Sequence, residues 1–215
     1  IPDPLREAGS LAFALRENGQ EDIWAISVGE SGPLRLTNSP ADERDPAWSP
    51  DGTRIAFASN RDGNWELYIL SIETGIITRL TYTPGFEGAP TWSPDGAYLA
   101  YEGYANETQD LDLYIISSDP ARAADEGAFR ATATPGPDTE PDWGPDGRHI
   151  AFTTWRSGNP DIYILNLDSD GGDGRAVNLT NTPDIDEDFA AWSHDGLTIG
   201  YTATVNGVEG VYVKP

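Results

Sequence analysis

The sequence predicts an all-β protein: a β-propeller of about five blades, each a four-stranded antiparallel sheet, with incomplete terminal blades. Two observations favour this fold class: a recurring Trp-x-x-Asp-Gly turn, and aromatic residues at near-constant distances from each Trp. The turn occurs at Trp48–Gly52, Trp92–Gly96, Trp143–Gly147 and Trp192–Gly196, which places the Trp residues 44, 51 and 49 positions apart. Four-stranded units that recur every 40 to 50 residues or so are typical of propeller blades.

Each copy of the repeat divides into four short strands, A to D. Strand A ends at the Trp, and the Asp-Gly turn suits a tight A–B connection because Gly tolerates positive φ. Strands B and C each carry one aromatic residue: Phe57 and Tyr68, Tyr101 and Tyr114, Phe152 and Tyr163, Tyr201 and Tyr212. A two-sheet sandwich is the alternative fold, but it does not explain these offsets, so we expect the repeated Trp residues to be core. Helix is expected only as one turn within Ala121–Ala128.

The repeat sets the predicted blade boundaries within one domain. The blades cover 1–42 (partial), 43–87, 88–139, 140–188 and 189–215, the last without its outer strand. An unpaired strand edge promotes association. Three outcomes are open: Ile1–Arg6 closes the ring in cis, blade 5 stays three-stranded, or a strand of another chain fills the edge and gives oligomers or filaments. Because the chain begins at Ile1, a segment removed upstream is also expected.

These turns, with Asn60-Arg61-Asp62-Gly63, Asp161-Ile162-Tyr163 and Asn178-Leu179-Thr180, resemble the TolB-like, WD-repeat-like family of propeller repeats. The resemblance covers nearly the whole chain. It implies the fold without fixing a function, because that family includes TolB, propeller domains of prolyl-oligopeptidase-like enzymes and many secreted proteins.

Charge and composition exclude several function classes. The formal net charge is −23, and nucleic acids require a basic surface, so neither nucleic acid nor an anionic bilayer is an expected partner. No apolar stretch reaches the roughly 20 residues that span a membrane. The absence of Cys excludes disulfides and thiolate metal sites.

Strand alternation places the B–C and D–A loops on one face of the propeller. Acidic residues crowd the D–A loops, so this face should attract cationic partners, unless the acids only solvate the loops. Trp65 and Trp155 break the repeat pattern and are predicted to be exposed. The predicted contact residues on this face are Trp65, Trp155, Arg61, Arg156, Asp186 and Asp188.

No cofactor is expected, although calcium stays open at two places. Asp168, Asp170 and Asp173 resemble part of a calcium loop, but two EF-hand ligand positions hold Gly172 and Leu179, and a Gly-rich hairpin tip is the alternative. The acids that recur just before or two before the strand-C aromatic residue are expected to cap loops, with a cation role open in one blade; they are Asp22, Glu66, Asp112 and Asp161. Asn106 and Asn178 match the N-glycosylation sequon.

The sequence contains no Gly-x-Ser-x-Gly elbow, and neither His stands where catalysis would need it. We therefore expect a non-catalytic, secreted or periplasmic propeller that binds other proteins or serves as a structural module. Two alternatives stay open: a self-assembling filament or sheath subunit, and a glycan-binding or glycan-cleaving propeller.

Overall fold

The computed structural model describes residues 9–29, 32–105, 109–168 and 175–215. Its eighteen strands form five antiparallel sheets in a propeller arrangement, one sheet for each predicted copy of the repeat. The predicted fold class is therefore confirmed.

Blades 2, 3 and 4 are complete four-stranded sheets. Blade 2 contains β4 (Glu43–Trp48), β5 (Arg54–Ser59), β6 (Glu66–Ser71) and β7 (Ile77–Arg79). Blade 3 contains β8 (Glu87–Trp92), β9 (Tyr98–Ala105), β10 (Asp110–Ser117) and β11 (Phe129–Arg130). Blade 4 contains β12 (Asp138–Trp143), β13 (His149–Thr154), β14 (Asp161–Asn166) and β15 (Ala176–Asn178).

The end blades have three described strands each, as predicted. Blade 1 contains β1 (Ser10–Glu17), β2 (Gln20–Ser27) and β3 (Leu34–Arg35), which correspond to strands B, C and D. Blade 5 contains β16 (Asp186–Trp192), β17 (Ile199–Val205) and β18 (Val208–Lys214), which correspond to strands A, B and C. Residues 1–6 lie outside the described residues, so ring closure by them stays a prediction.

Three first strands begin before the boundaries that the repeat suggested. They start at Glu87, Asp138 and Asp186, whereas the sequence placed blades 3, 4 and 5 from 88, 140 and 189. The reason is that these earlier residues still pair with strand B: Glu87 with Gly103, for example. The Trp-based repeat could not detect this pairing.

The hydrophobic core lies between successive blades, where the repeated aromatic residues meet. Each strand-B aromatic pairs with the strand-C aromatic of its own blade, with ring centroids between 5.6 Å (Tyr101–Tyr114) and 6.1 Å (Tyr201–Tyr212). Trp92 is buried, and its indole N–H donates to the carbonyl of Ala47 in the preceding blade at 2.9 Å. The other three repeated Trp residues are half-buried and pack against these clusters. The repeated Trp residues therefore belong to the core, as predicted, and they pack at the junctions between successive blades.

The A–B turns use the predicted chemistry. In blade 2, Asp51 accepts hydrogen bonds from the Ser49 hydroxyl at 2.6 Å and the Thr53 amide at 3.0 Å, and Gly52 has φ +67°. These bonds lower the pKa of Asp51 to about 2, because they favour the ionised carboxylate.

One helix is longer than predicted. Helix α1 covers Pro120–Glu126, whereas the sequence suggested a single turn. Asp119 caps it by accepting from the Ala121 amide at 2.9 Å, and Ala123 is buried against blade 3. A single buried side chain gives little periodic signal, so the helix was underestimated.

Candidate binding site at the propeller axis

A bulge interrupts the first strand of blades 2 to 5 at the same position. At each bulge one non-glycine residue has a positive φ: Asp45 (54°), Ala89 (46°), Glu140 (51°) and Phe189 (55°). Such a conformation is unfavourable for residues other than Gly, and bulges redirect side chains near binding sites.

The four bulges surround one axial cavity of about 360 Å³. It is lined by residues 45–47, 89–91, 140–142 and 189–191, the same three positions of four blades. None of these lining residues is Lys or Arg, whereas Asp45, Glu140 and Asp142 are acidic. The side chain of Phe189 is 58% exposed at this cavity. The cavity is therefore anionic with an accessible aromatic group.

Three carboxylates near the axis stabilise the fold by accepting hydrogen bonds from backbone amides. Asp45 accepts the Ala89 amide at 3.3 Å, Glu102 accepts the Glu140 amide at 3.1 Å, and Asp142 accepts the Trp192 amide at 2.6 Å. Each of these bonds joins one blade to the first strand of the next. They satisfy backbone donors that the bulges remove from the strand ladder.

Glu140 and Asp188 form a different pair at the axis. Burial raises the pKa of Glu140 to about 9, reinforced by a hydrogen bond with Asp188 and by the negative charges of Asp188 and Glu102. The Oε2 atom of Glu140 is buried and receives no hydrogen-bond donor. Glu140 therefore stays protonated at neutral pH, and no Lys or Arg lines the cavity to balance the charge of the other axial carboxylates, which a cationic partner would balance.

The structure separates the two predicted Trp contacts. Trp155 is 37% exposed, as predicted. Trp65 is half-buried and packs against the core between blades 2 and 3, with the Arg44 guanidinium 4.2 Å from its ring. The prediction that Trp65 is exposed was therefore wrong, because Arg44 on β4, the first strand of the same blade, covers it. Asp186 is exposed, and Asp188 is half-buried beside Glu140.

The two predicted Arg contacts are engaged inside the fold. Arg61 forms an ion pair with the fully buried Glu43. Arg156 donates to both oxygens of the buried Asp138 at 2.9 Å. These guanidinium groups neutralise buried acids on the first strand of their own blade, and this use explains their place in the B–C loops.

The remaining predicted site residues are dispersed. Asp168 is exposed and pairs with Arg148 at 3.3 Å, while Asp170, Asp173 and Asn106 lie outside the described residues. Asn178 is half-buried, and its amide donates to Asp161 at 2.9 Å. Within the described part of the chain, no group of three or more His, Asp or Glu side chains is arranged to hold a metal, and no helix is long and apolar enough to cross a membrane.

Another cavity, of about 770 Å³, opens between the turns of blades 3 and 4. Its apolar lining includes Tyr98, Phe129 and Trp143, with Asp95 and Asp146 at its polar side. Both carboxylates cap their own A–B turns, since Asp95 accepts the Ala97 amide and Asp146 the Arg148 amide. This cavity therefore offers aromatic surface beside two carboxylates that cap turns.

Sequence reasoning missed a buried carboxylate pair at each blade junction. One member begins or lies early in strand C of a blade, and the other begins or lies early in strand A of the next blade. The pairs are Asp22 with Glu43, Glu66 with Glu87, and Asp161 with Glu187, and Asp112 and Asp138 occupy the same positions at the third junction; all eight residues are at most 3% exposed. Their recurrence 21 or 26 residues apart is visible in the sequence and was the available signal.

Comparison with known proteins agrees with this architecture. Residues 11–124 match the family model of the tricorn protease N-terminal β-propeller domain. The chain belongs to this family. Its described fold also superposes on the crystal structure of TolB from Acinetobacter baumannii with a TM-score of 0.82 and 25% identity, over 96% of this chain and 50% of that one.

Two sequence relatives support the TolB-like resemblance. The chain is 48% identical to the Tol-Pal system protein TolB of Bordetella pertussis over 61 residues, which are 28% of this chain and 13% of that protein. It is 33% identical to a TolB homolog of Chlorobium luteolum over 160 residues, or 74% of this chain and 34% of that protein. The chain thus matches at most about a third of the length of these two relatives, and the resemblance to TolB-like propellers is confirmed.

Proposed function

We propose that this chain is a non-catalytic propeller that binds a basic segment of another protein at its axial cavity. One observation carries the proposal: four equivalent bulges converge on a cavity that has several carboxylates, no Lys or Arg in its lining and an exposed Phe189. Arg or Lys side chains would supply the missing charge, and an apolar side chain between them would contact Phe189.

Long-range electrostatics supports a cationic partner. The net charge of −23 gives the chain a negative field, and such fields accelerate the association of oppositely charged proteins. The TolB of Bordetella pertussis is by name a protein of the Tol-Pal system, which is compatible with a protein partner for this chain. By the same resemblance we propose a secreted or periplasmic location, which cell fractionation would test.

Calorimetric titration with a synthetic peptide tests the proposal. The probe alternates Arg and Leu over ten residues, and its control replaces every Arg with Glu. We expect the basic peptide alone to bind, with an affinity that falls as salt rises. The double variant Glu140→Gln with Asp188→Asn should bind at least about tenfold more weakly, since a tenfold loss corresponds to about 1.4 kcal/mol.

Glu209→Gln is the matched control, because Glu209 is exposed on β18, away from the axial lining. It should bind like the parent protein. Equal binding of both peptides, or an axial double variant that binds as tightly as the control, would contradict the proposal.

A second candidate function is self-assembly through blade 5. Among the described residues no strand pairs with the free side of β18, and Val208, Val211 and Val213 on this strand are 68%, 79% and 66% exposed. An exposed apolar edge strand can pair with a strand of another chain. Light scattering would detect such assembly, and Val211→Lys should reduce it; a monomer at high concentration would exclude it.

A further inference from the structure

The four blade junctions provide an internal comparison of how buried carboxylate pairs are neutralised. At the first junction Arg35 pairs with Asp22 at 2.5 Å and Arg61 pairs with Glu43. At the third junction Arg130 pairs with Asp112 at 2.5 Å and Arg156 with Asp138 at 2.9 Å. Two guanidinium groups therefore balance two carboxylates at each of these junctions.

The second junction has one guanidinium group, because Arg79 pairs with Glu66 at 2.6 Å and Ala105 stands where Arg61 and Arg156 stand in their blades. A single proton completes the neutralisation there. Burial raises the pKa of Glu87 to about 8, helped by the hydrogen bond and the negative charge of Glu66.

The fourth junction has no guanidinium group on Asp161 or Glu187 among the described residues. Asn178 occupies the position of Arg35, Arg79 and Arg130, and Val205 occupies the position of Arg61 and Arg156. One shared proton would still leave a full negative charge. An unbalanced buried charge is unfavourable, so a cation from outside the chain would stabilise this junction.

The donors around this pair are hydroxyl groups, the side-chain amide of Asn178 and the backbone amide of Thr182, which donates to Asp161 at 3.2 Å. Asp161 accepts from the Ser157 hydroxyl at 2.5 Å and the Asn178 amide at 2.9 Å, and Glu187 accepts from the Thr182 hydroxyl. Glu187 is only 2% exposed, yet its Oε2 atom receives no donor although it faces Asp161.

We propose that the junction between blades 4 and 5 binds a divalent, oxygen-seeking cation of the calcium class between Asp161 and Glu187. Two carboxylates balance a divalent charge as two guanidinium groups balance the pairs of the first and third junctions. The hydroxyls of Ser157 and Thr182 can turn their oxygens to the ion, and water completes the six to eight ligands that calcium takes. Neither His nor Cys is present at the junction, which disfavours zinc.

Thermal unfolding during a CaCl₂ titration of EDTA-treated protein tests this site. At a concentration about a hundredfold above the dissociation constant, we expect calcium to raise the Tm by roughly 5–10 °C. Glu187→Gln should lose this response. Asn178→Arg places a guanidinium group where the other blades have one, so it should raise the Tm without calcium and abolish the calcium response.

Two control variants separate this site from other acids. Glu140→Gln changes the axis, and Asp168→Asn changes the loop that resembles a calcium site; both should keep the full calcium response. Calorimetry should also give a stoichiometric binding event in the parent protein that Asn178→Arg lacks. A calcium response that persists in a folded Asn178→Arg variant, that disappears in either control, or that is absent from the parent protein would overturn the proposal.

Discussion

Glu87 makes the stability of this propeller depend on pH in a direction that a single substitution can test. The residue is 3% exposed, the Thr83 hydroxyl donates to its Oε1 atom, and its Oε2 atom receives no donor. Arg79 forms an ion pair with Glu66, and the neighbouring Glu87 stays protonated in the folded protein because burial raises its pKa from 4.5 to about 8.

The sign and the size of the effect follow from this pKa. In the unfolded chain Glu87 ionises near pH 4.5, so between that pH and about 8 only the folded state holds the proton. The free energy of unfolding should therefore fall by about 1.4 kcal/mol per pH unit in this window through Glu87 alone. The contribution is fully present below pH 4.5 and is lost as the pH rises through 8. Glu140, with a pKa of about 9, adds a separate contribution of the same sign.

Glu87→Gln keeps the shape of the protonated side chain but cannot ionise. We expect the variant to lose about 1.4 kcal/mol per pH unit less than the parent protein between pH 5.5 and 7.5, and to be the more stable of the two at pH 8.5. Urea unfolding followed by Trp fluorescence measures this difference at each pH. The exposed Glu209→Gln variant is the control and should keep the slope of the parent protein. Parallel curves for the parent and Glu87→Gln would refute the argument that Glu87 carries a buried proton.

Two further predictions concern the junctions. Arg156→Ala leaves the fully buried Asp138 without its bidentate partner, so the free energy of unfolding in urea should fall by about 3–5 kcal/mol. Arg156→Lys should recover part of this loss, and an unchanged unfolding midpoint for Arg156→Ala would contradict the buried pair. Trp92→Ala removes a buried indole and its hydrogen bond to Ala47, so the free energy of unfolding should fall by about 3–5 kcal/mol. Thermal melting measures this loss, and Trp155→Ala, at an exposed position, is the control that should have a mild effect. Equal effects of the two substitutions would contradict the core role of Trp92.

The sequence predicted that the candidate site is acidic, but not how its acidic residues are arranged. The acidic D–A loops were recognised, but the sequence could not divide them into axial groups such as Glu140 and buried junction groups such as Glu87. The division depends on the bulge, which shifts the register between Thr139 and Asp142 and turns one residue to the axis. A bulge has no strong local signature, because its residues here include Asp, Ala, Glu and Phe.

The sequence by itself determined the number of blades, the aromatic pairs within each blade and the Asp-Gly turns. These features depend on local chemistry: strand preference, side-chain alternation and a glycine that accepts positive φ. Only the tertiary structure decided that Arg61 and Arg156 neutralise buried acids, that Arg44 covers Trp65, and that Asp161 meets Glu187 without a counter-charge. The Arg contacts join different parts of one blade and the Asp161–Glu187 pair joins two blades, and the energy of all of them depends on burial, which appears only after the sheets have stacked.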